Sequence, residues 1–211
     1  MINKIKSMPK KKKIALIGIG ALTIILIFFS IVMMYRVIET PTITLVPPPP
    51  IDVLDRDEFI VDVKLSDLGD ELYPAASVTI GFDKNKLEFT GTKIGTMMTY
   101  GDNTVDGKSF DIPLWNCNIE RANELGEINT LYMDMTAGKY AYSKSGFDNK
   151  TKDVVLRLGF KLRDSAVKGE VYNIKIRDAV IAAINGDENK TSLATSQNTL
   201  RARNCKIVVL K

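Results

Sequence analysis

The side chains that ordinarily carry chemistry are scarce in this chain, beginning with histidine, of which its 211 residues contain none. That removes Ser-His-Asp and Cys-His nucleophilic arrangements, His-ligated zinc and the usual general base near neutral pH. A pair of carboxylates can hydrolyse a glycoside, and Glu120, Glu124, Glu127 and Asp134 are available. Surface acids carry no specificity by themselves, so no catalytic residue and no cofactor is assigned. Asp102-Asn103-Thr104-Val105-Asp106-Gly107 resembles the first half of a calcium loop, but Pro113 stands where such a loop needs an acid. It reads as a turn, as does Asn185-Gly186-Asp187-Glu188-Asn189, and no metal site is expected. Trp115 is the one tryptophan. It is read as a core residue, with a sugar-stacking platform as the alternative, since Tyr100, Tyr132, Tyr140 and Tyr142 make no evident row with it. Cys117 and Cys205 are the only cysteines. A disulfide between them would close a long loop and contribute roughly 4 to 5 kcal/mol in the chain-entropy model. Two buried free thiols fit the sequence equally well.

The elements that must position these residues fall into two parts. From Ile14 to Tyr35 there is no charged side chain, and 13 of the residues are Leu, Ile, Val or Phe. Lys4, Lys6 and Lys10 to Lys13 precede this run. A helix of that length reaches across a hydrocarbon core of roughly 30 Å, and the lysines favour the cytoplasmic side. A cleavable signal peptide has a shorter apolar region and a small-x-small cleavage site, whereas this run ends in Ile31-Val32-Met33-Met34-Tyr35-Arg36. A buried core helix would need further apolar layers around it. The expectation is a basic cytoplasmic head (1–13), a transmembrane helix (14–35), a short tether (36–41) and one extracytoplasmic domain (42–211) at the cell membrane. The formal net charge of +4 arises in the lysine-rich head. The rest is nearly neutral to slightly acidic and offers no basic groove for nucleic acid.

Beyond the tether the period is two. Phe59, Val61, Val63 and Leu65 alternate with Glu58, Ile60, Asp62 and Lys64, and Ala76, Val78, Ile80 and Phe82 alternate with Ala75, Ser77, Thr79 and Gly81. Leu87 to Ile94 makes another strand. Leu131, Met133 and Met135 oppose Thr130, Tyr132, Asp134 and Thr136, and Val154, Leu156, Leu158, Phe160 and Leu162 share one face. Tyr172, Ile174 and Ile176, an apolar patch at Ala179 to Ile184, and Ile207 to Leu210 complete the series. Turn residues separate these runs, and no amphipathic helix is evident outside the apolar N-terminal run, so an all-β sandwich is expected. Pro47 to Pro50 reads either as a rigid stalk or, with Thr42 to Val46 as the first strand, as the first inter-strand loop.

The stretch from Thr42 to the C-terminus resembles the cohesin domain of bacterial cellulosomes. The resemblance rests on Glu58 to Leu65 as the second strand and on Val78-Thr79-Ile80-Gly81-Phe82-Asp83-Lys84-Asn85-Lys86-Leu87-Glu88-Phe89, close to the family's aromatic-Asp-Pro-x-x-Leu-Glu signature with Lys84 replacing the proline. Asn129 to Gly146 and the long strand that follows continue the order, which Ala179 to Ile184 and Ile207 to Leu210 close. It implies a jelly-roll β-sandwich of about nine strands, similar also to some carbohydrate-binding modules. In that family one flat sheet face binds a dockerin, a small calcium-loaded helical module of secreted enzymes, without catalysis. Ala75 and Ser77 stand where the best-known class has an Asn and an Asp that hydrogen-bond the partner. Binding here would use another set, for which Ser77, Thr79, Tyr132 and Asp134 are the candidates. The resemblance thus implies a membrane-anchored binding module for a secreted, dockerin-like protein. The alternatives are a carbohydrate-binding module for polysaccharide and a structural subunit of an envelope assembly.

Overall fold

The computed structural model describes residues 10–66, 68, 71–97, 104–105, 108–109, 115–136, 138, 140–144, 150, 152–184 and 192–210, with side chains in the first helix described only for 19–33. Two compact units divide between Thr40 and Pro41. The first contains α1 (Lys10–Glu39), 30 residues long. Its side chains from Ile19 to Met33 are exposed, and among the described residues no helix is long and apolar enough to cross a membrane. Those described side chains are a part of the charge-free run that extends from Ile14 to Tyr35. Thr23 and Ser30 donate their hydroxyls to the carbonyls of Ile19 and Leu26 at 2.8 Å, one turn back. The segment expected as a tether is helical as far as Glu39.

The second unit is built from β1 (Thr42–Val46), β2 (Phe59–Leu65), β3 (Ala75–Gly81), β4 (Leu87–Ile94), β5 (Thr104–Val105), β6 (Lys108–Ser109), β7 (Asn116–Cys117), α2 (Ile119–Leu125), β8 (Glu127–Met133), β9 (Val154–Leu162), β10 (Val171–Ala182), β11 (Leu193–Ala194), β12 (Arg201–Arg203) and β13 (Cys205–Val208). The first strand begins at Thr42, so Pro47 to Pro50 lie in the loop between β1 and β2. One sheet runs β12-β1-β2-β9-β4 and the other β11-β10-β3-β8-β7, with β13 also on β10. β1 and β12 run parallel; the other ladders are antiparallel. This is the expected sandwich. Alternation puts Val61, Val63, Leu156, Leu158 and Phe160 from one sheet against Val78, Ile80, Ile128, Ile174 and Ile181 from the other, all in one continuous core. Phe160 packs against Phe82 and Phe89 at 5.4 and 5.5 Å between ring centroids.

Two features depart from the sequence expectation. α2 is a helix where none was expected. The Asn118 side chain accepts from the Arg121 N–H at its start, and Gly126 ends it in a left-handed conformation (φ 72°). Its Asn123 amide accepts from the Phe89 N–H and donates to the Phe89 carbonyl, closing the edge of β4 where no strand among the described residues pairs with it. Secondly, the segments read as two runs, Tyr172 to Ile176 and Ala179 to Ile184, form one strand, β10, with a bulge between Ile176 and Asp178. The bulge absorbs one extra residue between Ile176 and Ala179, so that both still point inward.

Candidate functional site

The two sheets present different outer faces to solvent. On the β12-β1-β2-β9-β4 sheet three ion pairs cross the outer face: Asp62 with Arg157 at 3.3 Å, Lys64 with Asp153 at 3.0 Å, and Glu58 with Lys93. The Lys93 ammonium, followed by the Thr90 hydroxyl, holds the Glu58 carboxyl below its usual range. Such a laced face is a solvated surface with little to gain from a partner.

The outer face of β10-β3-β8-β7 is different. Register places Ser77 between Val180 and Leu131, with Asn116 beyond Leu131, and Ala75 between Ala182 and Met133. Leu131 and Met133 are 44% and 48% exposed, large apolar side chains beside the small Ala75 and Ser77, and the opposed pair Val171 and Val208 is exposed to a similar degree toward the β10-β13 end of the face. Thr79 donates to the Asn129 side chain at 2.9 Å across the β3-β8 ladder. At the far end of the same face the Arg177 guanidinium lies across Gly81 and pairs with Glu127 at 2.6 Å.

Of the residues expected on a binding face, the structure brings Ser77 and Thr79 together there and places Tyr132 and Asp134 elsewhere. Tyr132 is 1% exposed and points into the sandwich. Its ring lies 4.7 Å from Tyr142 and 5.7 Å from Trp115, and its hydroxyl donates to the Tyr140 carbonyl. Desolvation pushes its phenol far above the ordinary range. Burial similarly pushes the Tyr142 phenol up to about 12, partly opposed by its hydrogen bond from Trp115. Asp134, also buried, accepts from the Thr136 N–H (2.8 Å), the Thr136 hydroxyl (2.6 Å) and the Tyr140 N–H (3.1 Å), organising the loop beyond β8. The alternation along β8 is as expected, but its inside and outside are reversed. A tyrosine with aromatic neighbours and a partner for its hydroxyl buries more favourably than Leu131 or Met133 would there. The residues missed on the face are Asn129, Leu131 and Met133, which the same alternation identifies once Tyr132 is placed inside.

The other candidates resolve as follows. Trp115 is 4% exposed and donates its indole N–H to the Tyr142 hydroxyl at 3.1 Å, so no sugar can stack on it. Cys117 and Cys205 are free thiols. Cys117 is level with Ala179, through Thr130 and Val78, while Cys205 opposes Ile174. Five residues along the strand, roughly 15 Å, exceed the limit of about 7 Å for a bridge. Glu120 and Glu124 lie exposed on α2. Glu127 and Asp134 are separated by the length of β8, about 23 Å, too far to share a glycosidic bond. Among the described residues no three His, Cys, Asp or Glu cluster as a metal site. The turns read at 102–107 and 185–189 lie outside the described residues, except that Thr104–Val105 pairs with Lys108–Ser109. A cleft of about 300 Å³ between β4 and β7, lined by Thr92, Lys93, Ile94, Trp115, Cys117 and Ile119 among others, holds no converging charges. Burial pushes the Cys117 thiol up within it, partly opposed by hydrogen bonds from Thr92.

No family model matches this sequence, and no curated protein matches it. Solved structures do. The sixth cohesin of scaffoldin B from Acetivibrio cellulolyticus, solved in complex with a Cel5 dockerin, is 20% identical, with 81% of this chain and 97% of that one covered at a TM-score of 0.53. The OlpC cohesin of Clostridium thermocellum, in complex with Doc435, is 12% identical, covering 82% and 94% at 0.55. A non-cellulosomal cohesin from the archaeon Archaeoglobus fulgidus is 12% identical, covering 82% and 92% at 0.51. The β-sandwich of this chain therefore has the cohesin fold.

Proposed function

We propose that this protein is a non-catalytic recruitment module, which binds a dockerin-like secreted protein through the outer face of β10-β3-β8-β7 and is held at the membrane by α1. The observation that carries the first part is the pair Leu131 and Met133, half exposed on the outer face beside Ser77, Thr79 and Ala75. A few well-packed anchors supply most of an interface's affinity, with surrounding contacts that exclude water. Cohesins of the same fold have been solved with dockerins bound, which favours a partner of that kind. The loss of the Asn and Asp expected near Ala75 and Ser77 shifts the contribution from charge-assisted hydrogen bonds toward apolar contact. The anchor is supported by the charge-free run from Ile14 to Tyr35 and its six preceding lysines. It is also supported by Thr23 and Ser30, whose hydroxyls are satisfied within the helix and demand no water.

The test uses the full chain in nonionic detergent, immobilised and exposed to a panel of calcium-loaded dockerin modules. Capture that chelation reverses and Leu131→Asp abolishes supports the reading. Capture of no module, or capture indifferent to Leu131→Asp, refutes it. The anchor is tested separately by flotation with phosphatidylcholine vesicles after alkaline carbonate washing. A chain that remains in the aqueous layer is not anchored.

A further inference from the structure

Charge is distributed unevenly along the proposed binding face. Lys175 and Lys206 are exposed near one end of the face. Lys206 opposes Asn173, two residues from Lys175 on the neighbouring strand, which sets the two lysines diagonally, about 7 to 8 Å apart. Neither enters an ion pair among the described residues. The nearby carboxylates are engaged: Glu127 with Arg177, and Asp178 with the Thr195 hydroxyl and the Ala179 N–H. Two lysines without an ion pair among the described residues therefore stand on the same outer face as the apolar patch, with Asp178, which is hydrogen-bonded only to neutral donors, three residues from Lys175. Register gives their separation. Lys175 is level with Gly81 and Leu131 with Ser77, four residues or about 13 Å along the strands and two strand spacings, about 10 Å, across. The diagonal is about 16 Å.

Building on the reading of this face as the binding face, we infer that its partner carries an acidic cluster whose nearest carboxylate lies about 16 Å from an apolar anchor, the anchor seating on Leu131 and that carboxylate on Lys175, with Met133 and Lys206 extending the two ends outward. On one helix that spacing is about three turns. A basic partner surface would face the same two lysines unpaired and be rejected by like charge. The charge term acts mainly on encounter rate and on choice among partners, and the apolar patch on residence.

The experiment is a selection on the full chain in nonionic detergent. The probe is a phage-displayed library on a calcium-loaded dockerin scaffold, with outward helix positions varied among Leu, Ser, Glu and Lys. Binders selected on the wild type are expected to carry Glu over Lys by at least about threefold near one end. They should lose about tenfold or more in affinity for the Lys175→Glu/Lys206→Glu double variant, mostly in association rate and less at high salt. Selection on the double variant should reverse the Glu to Lys preference. Both substitutions are on exposed positions, and an unchanged melting curve verifies the fold. Equal use of Glu and Lys, or unchanged affinity for the double variant, overturns the acidic partner while leaving the face intact. Binders insensitive to Leu131→Asp, or no binders, overturn the reading of the face itself.

Discussion

Tyr132 and Leu131 are neighbours on β8 that face opposite ways, and exchanging their chemistry separates stability from recognition. Tyr132→Phe removes one hydroxyl and retains the ring, so the contacts with Tyr142 at 4.7 Å and Trp115 at 5.7 Å persist. The lost hydrogen bond to the Tyr140 carbonyl is worth about 0.5 to 1.5 kcal/mol net. For a domain of this size that lowers the melting temperature by roughly 1 to 6 °C. Leu131→Asp alters a side chain already 44% exposed, so its effect on stability is about 1 kcal/mol or less. Urea denaturation of the full chain in detergent, followed by the emission of Trp115, measures both. Dockerin capture by the same samples should be unchanged for Tyr132→Phe and reduced at least about tenfold for Leu131→Asp. Tyr132→Phe with wild-type stability, or capture lost in Tyr132→Phe and kept in Leu131→Asp, would sink the assignment of inside and outside on this strand.

Three further outcomes are expected. Burial pushes the Cys205 thiol up to about 12, so the folded state holds this proton after the unfolded chain has released it, near pH 9. Its contribution is complete below that pH and lost progressively up to about pH 12, and Cys205→Ala should flatten the early part of the alkaline stability curve. Asn123→Ala removes both hydrogen bonds that close the β4 edge at Phe89. It should cost about 1 to 3 kcal/mol and speed amide exchange at Phe89 above that of its neighbours. A Cβ at Gly95 would lie 2.0 Å from the Val154 carbonyl oxygen, which accepts from the Met97 N–H. Gly95→Ala should therefore destabilise by about 1 to 3 kcal/mol or more in the same urea titration.

Strand alternation and the sandwich were legible because period-two runs such as Val154 to Leu162 have one physical explanation. The side of β8 that faces inward was not, since Leu131 and Met133 are as apolar as core residues. Only the aromatic surroundings of Tyr132, contributed by Trp115 and Tyr142 from distant sequence, decide between them. α2 carried readable signals, Asn118 before it and Gly126 after it, but at 7 residues its apolar period is too short to stand out from the adjoining strand. The merging of two apparent strands into β10 depends on one unpaired residue, which no periodicity announces. Ser77 and Thr79 were found because β3 has small polar residues on one parity and Val78 and Ile80 on the other.

The bulge in β10 has an evolutionary corollary. Tyr172, Ile174 and Ile176 point inward before it, and Ala179 and Ile181 after it. Deleting Arg177 would remove the bulge and leave an unbroken alternation with both halves still facing inward, at the loss of the Arg177–Glu127 pair. A deletion elsewhere in the strand, at Lys175 for example, would instead turn one half of it inside out. Changes of length on this strand should therefore be confined to the bulge or displaced into the loops, while substitutions at its outward positions can drift and retune a partner's charge preference.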